Sequence, residues 1–204
     1  MINQEDDDMK NSKACWIVII AILIVILAII VPSYNELIGL DENVKTAYAN
    51  VETMMQRRLE LIPDMVETVK SYAAHEEKIF NAISFLNTAT DNLNTALNSD
   101  STSLAELDEA NTQVTTATKQ LLAYVQDTPE ITASEQYTAL MDSLEGSVNR
   151  ISYARTEYNE AVAIYNKAVR SFPTSILAKF MNFKERETFK ANPEAHQSSI
   201  VNFD

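Results

Sequence analysis

Two histidines, one cysteine and two glycines are all that this 204-residue chain offers to the commonest kinds of enzyme chemistry. A carboxylate-bridged dimetal centre in a helical bundle needs Glu-x-x-His on two helices. The residues three before His75 and His196 are Tyr72 and Pro193, so that site is not spelled. Zinc ligation by His and Cys fails on number. A Ser-His-Asp set could be assembled on paper around His75, which stands beside Glu76 and Glu77. No nucleophile, base and orienting group are spelled out together, however, and a lone helical His is usually structural. Phosphate loops need clustered glycines so that backbone can approach the ligand. Gly39 and Gly146 are far apart. The sequence predicts no cofactor, no metal site and no catalytic residue, and a protein that is not an enzyme.

What remains for polar chemistry is a set of charges and amides at positions where apolar residues are expected. Arg58 continues the seven-residue row Leu37, Val44, Val51. Glu76 continues Val69 before Ile83, and Arg155 falls in the row Met141, Val148, Val162. Buried charges have to be paired or hydrogen-bonded. The plainer alternative is that the stripe drifts and these side chains snorkel to water. Arg58, Glu67, Glu76, Asn149, Arg155 and Asn159 form the candidate structural polar layer, with Asn166 beside it. Such a layer fixes register in a bundle rather than adding stability.

These residues must be positioned by long helices, because glycine is scarce and apolar residues recur at heptad spacing. Ser33-x-x-Glu36 reads as a capping box after Pro32, opening a helix with Leu37, Val44, Val51 and Leu40, Ala47, Met54, Leu61. A second helix is expected from Asp64 to about Asn98 on Met65, Tyr72, Ile79, Leu86 and Leu93. The third opens at the capping box Ser103-x-x-Glu106 and ends at Asp127-Thr128-Pro129. The fourth carries Tyr137, Leu144, Ile151, Tyr158, Tyr165 and Phe172, up to Pro173. The expected fold is all-α: a membrane helix followed by an antiparallel up-and-down four-helix bundle over residues 33–173. Residues 174–204 would be an amphipathic segment and a polar tail, poorly ordered from Asn192.

Ile62-Pro63-Asp64 allows two geometries, a turn or a kink. A kinked helix from Ser33 to Asn98 would run roughly 100 Å at ~1.5 Å per residue, longer than anything later could cover. The turn is therefore expected. It would set Arg58 opposite Glu67 on facing helices.

Before the bundle, residues 1–13 form a short acidic tail, and Ala14–Val31 is an uncharged apolar run of 18 residues, about 27 Å as a helix. That just fits a ~30 Å hydrocarbon core. Trp16 suits the interface, and no small-x-small cleavage site follows the run, so an uncleaved anchor is expected. Cys15 precedes the run, where a lipoprotein cysteine would follow it, and a single Cys excludes an intramolecular disulfide. Lys10 and Lys13 abut the N-terminal side and the first cation beyond is Lys45. The positive-inside rule then puts the bundle on the extracytoplasmic side of a bacterial cell membrane. The formal net charge of −13 disfavours nucleic acid as a partner.

Two blocks, Tyr34–Glu76 and Leu144–Phe189, resemble the LemA family signature. The resemblance rests on Arg57-Arg58 with Leu61-Ile62-Pro63, Val66–Lys70, Tyr72–Glu76, Asn149-Arg150-Ile151, Tyr158–Val162, Tyr165-Asn166 and Arg170–Pro173. The family usually has Asn where Asp64 stands and Glu where Val148 stands. The resemblance implies an N-terminal membrane helix, a four-helix domain and no established enzymatic activity. Family descriptions often place the short N-terminus outside the cell, against the charge-based orientation. The expected function is a membrane-anchored, non-enzymatic interaction or scaffold protein. It would hold lipid through residues 14–31 and an unidentified protein partner, with homo-oligomerisation possible. The alternative is a direct regulator or subunit of a membrane enzyme such as a protease.

Overall fold

The computed structural model describes residues 3–73, 76–99, 101–126 and 128–190. His75, His196 and the stretch from Asn192 lie outside the described residues, as does the side chain of Cys15. Among the described residues there are helices and no strand. In chain order they are α1 (Asn3–Ala73), α2 (Glu77–Leu97), α3 (Leu104–Val125), α4 (Pro129–Thr132), α5 (Glu135–Arg170) and α6 (Thr174–Phe180).

The largest departure from expectation is α1, 71 residues without a break. Pro32 does not end the helix of the apolar run, Ser33 is not a cap, and residues 62–64 do not turn. An interior proline costs roughly 3 kcal/mol, by losing one N–H and crowding the carbonyl four residues back. Pro63 itself faces solvent. Around it Met55, Leu59, Ile62, Met65, Val66 and Val69 are all buried. Burial of one such side chain is worth ~1.5–3 kcal/mol, so keeping this face in phase outweighs the proline. The length objection also fails. The part of α1 beyond the apolar run, residues 33–73, is 41 residues or about 60 Å, close to the 36-residue α5 at about 54 Å.

The chain divides into two compact units. The first holds residues 1–44 and 163–186. Every described side chain from Trp16 to Val31 is exposed, whereas Leu37 and Val44 on the same helix are buried, with Tyr165 of α5. Tyr34 meets Phe183 edge-on at 6.4 Å between ring centroids. Arg186 Nη2 reaches Asp41 Oδ1 at 2.9 Å, and that hydrogen bond pushes the guanidinium pKa up. Asn166 pairs with the backbone of Arg186 through both ends of its amide, at 2.8 and 2.9 Å.

The second unit holds residues 45–162 and 187–204. Its buried side chains repeat every three or four residues: Val51 to Val69 on α1, Ile79 to Leu93 on α2, Leu107 to Val125 on α3, Leu144 to Val162 on α5. Helices α2 and α3 pack on each other. Ser103 caps α3 as its spelling foretold: its hydroxyl accepts from the Glu106 backbone N–H, and the Glu106 carboxylate accepts from the Ser103 N–H at 2.8 Å. Proline at the first position of α4 is well placed, because that N–H has no intrahelical partner to lose.

Ser103→Ala is expected to destabilise the protein by about 1 kcal/mol, read from the urea midpoint. The Ser103 backbone N–H, then its hydroxyl, hold the Glu106 carboxyl below its usual pKa. The capping contribution is thus fully present above the ordinary carboxylate range and fades as pH falls through the lowered value. The gap between wild type and Ser103→Ala should narrow in acid.

Candidate functional site

Polar chemistry gathers at one place in the second unit, where α1, α3, α5 and Lys190 line a cavity of about 450 Å³. Arg58 enters it from the buried row of α1 and is only 2% exposed. Its Nη1 donates to Asn111 Oδ1 at 3.2 Å and to Thr115 Oγ1 at 2.9 Å, both on α3. Its Nε has no partner. Burial lowers the guanidinium pKa to about 10, so the group is still charged at neutral pH. No carboxylate among the described residues forms an ion pair with it. Two neutral acceptors hold a buried full charge.

Arg155 has the opposite balance. Its Nη1 meets Asp108 Oδ1 at 2.8 Å, its Nη2 donates to the Lys190 carbonyl at 2.9 Å, and its guanidinium lies 4.8 Å from the centre of the Phe189 ring. Asn159 lies one turn further along α5. Its Oδ1 accepts from the Phe189 N–H at 2.9 Å, and its Nδ2 donates to the Phe189 carbonyl at 3.0 Å. The Tyr158 hydroxyl donates to the Glu187 carbonyl at 3.0 Å. An extended stretch of chain has no ladder of its own, and these side chains supply one.

Of the residues proposed as a polar layer, Arg58, Arg155 and Asn159 line this cavity. Glu67, Glu76 and Asn149 are exposed and do not. The facing pair of Arg58 and Glu67 does not exist: both lie on α1, nine residues or ~13 Å apart. Asn111, Thr115, Asp108, Phe189 and Lys190 were missed. Asn111 could have been found, because Leu107, Asn111, Val114, Thr118 and Leu121 share one helical stripe and all are buried. Val148, where the resemblance leads one to expect Glu, also lines the cavity.

A comparison with protein families matches the LemA family over residues 47–203. The chain belongs to the LemA family. Among curated proteins it is similar to magnetosome protein MamQ of Magnetospirillum gryphiswaldense, 26% identical over 189 residues, covering 84% of this chain and 70% of that protein. Magnetosome protein MamQ 2 of Paramagnetospirillum magneticum is 26% identical over 200 residues, covering 88% and 73%. The LemA match covers all of α2 to α6 and the part of α1 that carries Arg58.

Three expected outcomes test this geometry. Asn111→Leu leaves Arg58 charged with one acceptor fewer, and should cost about 1.5–3 kcal/mol in the urea midpoint. Arg58→Met with Asn111→Leu should cost less than the sum of the two singles. In contrast, Arg58→Ala and Glu67→Ala should be additive within about 0.5 kcal/mol, as for separated sites.

Proposed function

We propose that this LemA-family protein is a membrane-tethered, non-enzymatic interaction domain, anchored once by the first part of α1 and presenting an antiparallel up-and-down helical bundle to a protein partner. One observation carries the reading. A single helix has an apolar run, mean hydropathy 3.1 over an 18-residue window, that the protein leaves wholly exposed, and then a stripe that it buries. An exposed apolar surface of that length in water would be an aggregation liability, whereas in a bilayer it is the correct surface.

The bundle topology is supported by pairings within the second unit. Asn50 of α1 reaches Glu157 of α5, and Tyr48 lies against Tyr158. Asp64 and Thr68 share a cavity with Gln136 and Leu140, so position rises on one helix as it falls on the other. Asn92 donates to Gln113 between α2 and α3, which the six residues 98–103 join. The favoured orientation sets Lys10 and Lys13 in the cytoplasm and the bundle outside. A second reading, a regulator or subunit of a membrane enzyme, draws on the solvent-reachable polar cavity around Arg58 and Arg155. The membrane-tethered interaction domain is preferred, because that cavity holds no paired nucleophile and base among the described residues.

After alkaline carbonate washing the full chain should stay in the membrane pellet. Replacing Leu23 and Leu27 by Arg should release it, since each central Arg costs about 2.5–3.5 kcal/mol of insertion. Release of the unaltered chain would overturn the anchor. With Cys15→Ser as background, Ser101→Cys should react with an impermeant thiol reagent in intact cells; labelling only after lysis would reverse the orientation. Crosslinking in intact membranes should give a specific heterologous partner, and only self-crosslinks would replace the interaction domain by a self-assembling spacer.

A further inference from the structure

The buried Arg58 is held by groups that satisfy part of its hydrogen bonding and none of its charge. Taking a guanidinium out of water costs several kcal/mol unless a counter-charge or a full set of acceptors meets it. Nη1 is engaged by Asn111 and Thr115, and the unpartnered Nε leaves the Nε side of the fork unsatisfied. Arg155 is the internal control. In the same cavity it has a carboxylate, a carbonyl and an aromatic face. Asp108 is committed to Arg155 as an ion pair at 2.8 Å, and no carboxylate is among the described residues that line the cavity.

We propose that this cavity binds a small organic carboxylate, with Arg58 as its principal anchor. A carboxylate presents two coplanar oxygens that match the guanidinium fork edge to edge. A phosphate brings more charge and more acceptors than the one free edge of Arg58 would meet. The walls point the same way. Asn111 and Thr115 form a polar side, Val148 and Ile151 an apolar one, so the site fits an acid head on a short hydrocarbon body. Its volume of about 450 Å³ lies in the range of small-molecule sites. The binding site stands apart from the membrane reading, since every lining residue lies beyond Val44.

The test uses the full chain in a neutral maltoside detergent, with sodium hexanoate as probe against sodium chloride at matched ionic strength. Melting temperature should rise saturably with hexanoate and not with chloride, with hexanol, or with inorganic phosphate alone. Val148 is 41% exposed, so Val148→Glu is tolerated sterically and places a carboxylate in the cavity. It should raise the melting temperature without ligand and weaken the hexanoate response at least tenfold in apparent Kd. Ser152→Glu, exposed and lining the same cavity, should weaken it likewise, and Arg58→Gln should abolish it. A response as strong in Val148→Glu and Ser152→Glu as in the unaltered chain would show that the carboxylate binds elsewhere. An equal rise with hexanol, or a rise with phosphate alone, would overturn the ligand class. No rise over chloride would overturn the site.

Discussion

An α-helix completes a turn in about 3.6 residues, so an unbroken helix carries one register along its whole length. In α1 the register runs unbroken from the exposed apolar run into a buried stripe. Leu37, Val44, Val51, Arg58 and Met65 are one row at intervals of seven, and Met55, Ile62 and Val69 are another. Every member is buried. Arg58 is therefore inside because it sits on this row. The polar cavity, its neutral acceptors and the imbalance of charge all follow from a guanidinium placed where the helix offers no way out to water.

That same row was the clue to the geometry at Pro63. The spacing from Arg58 to Met65, and from Ile62 to Val69, is seven across the proline, so the buried face keeps its phase there. A hairpin would have had no reason to preserve it. The proline and the total length both argue for a turn, and neither outweighs that phase. The apolar row after Pro63 reads as helix to Asn98, although α1 stops at Ala73 and α2 begins at Glu77. Nothing between them is Gly or Pro, and Ala73-Ala74 favours helix. The break before Glu77 is therefore not one that local propensity encodes. Where capping chemistry was explicit, at Ser103 and Glu106, the boundary was legible to the residue.

The candidate site was legible by halves. Charges standing in apolar rows are visible in one dimension, so Arg58 and Arg155 could be named. Glu76 stood in such a row too, but it falls just ahead of α2 and outside the buried face. Partners are set by which helix comes alongside, and Asp108, Asn111 and Thr115 all sit on α3. Phe189 and Lys190 were harder still. They lie in extended chain, which has no helical period to betray a buried residue, and Phe189 is 4% exposed. Its only trace in the sequence is Asn159 on α5, an amide that does not complete an apolar row.

Asn159 shows what such an amide can do that an apolar residue cannot. A helix spends its backbone N–H and C=O groups on itself, so it cannot offer an edge to a passing extended segment. An asparagine side chain carries one donor and one acceptor in a plane, the same pair that a neighbouring strand would present. Asn159 uses both on Phe189, and Asn166 uses both on Arg186. In the second unit that docking seats the Phe189 ring beside the Arg155 guanidinium, and it sets Lys190 at the wall of the cavity. The cavity is thus closed by hydrogen bonds rather than by apolar packing alone. Arg58 is almost wholly buried there, while Lys190 on the same lining stays exposed.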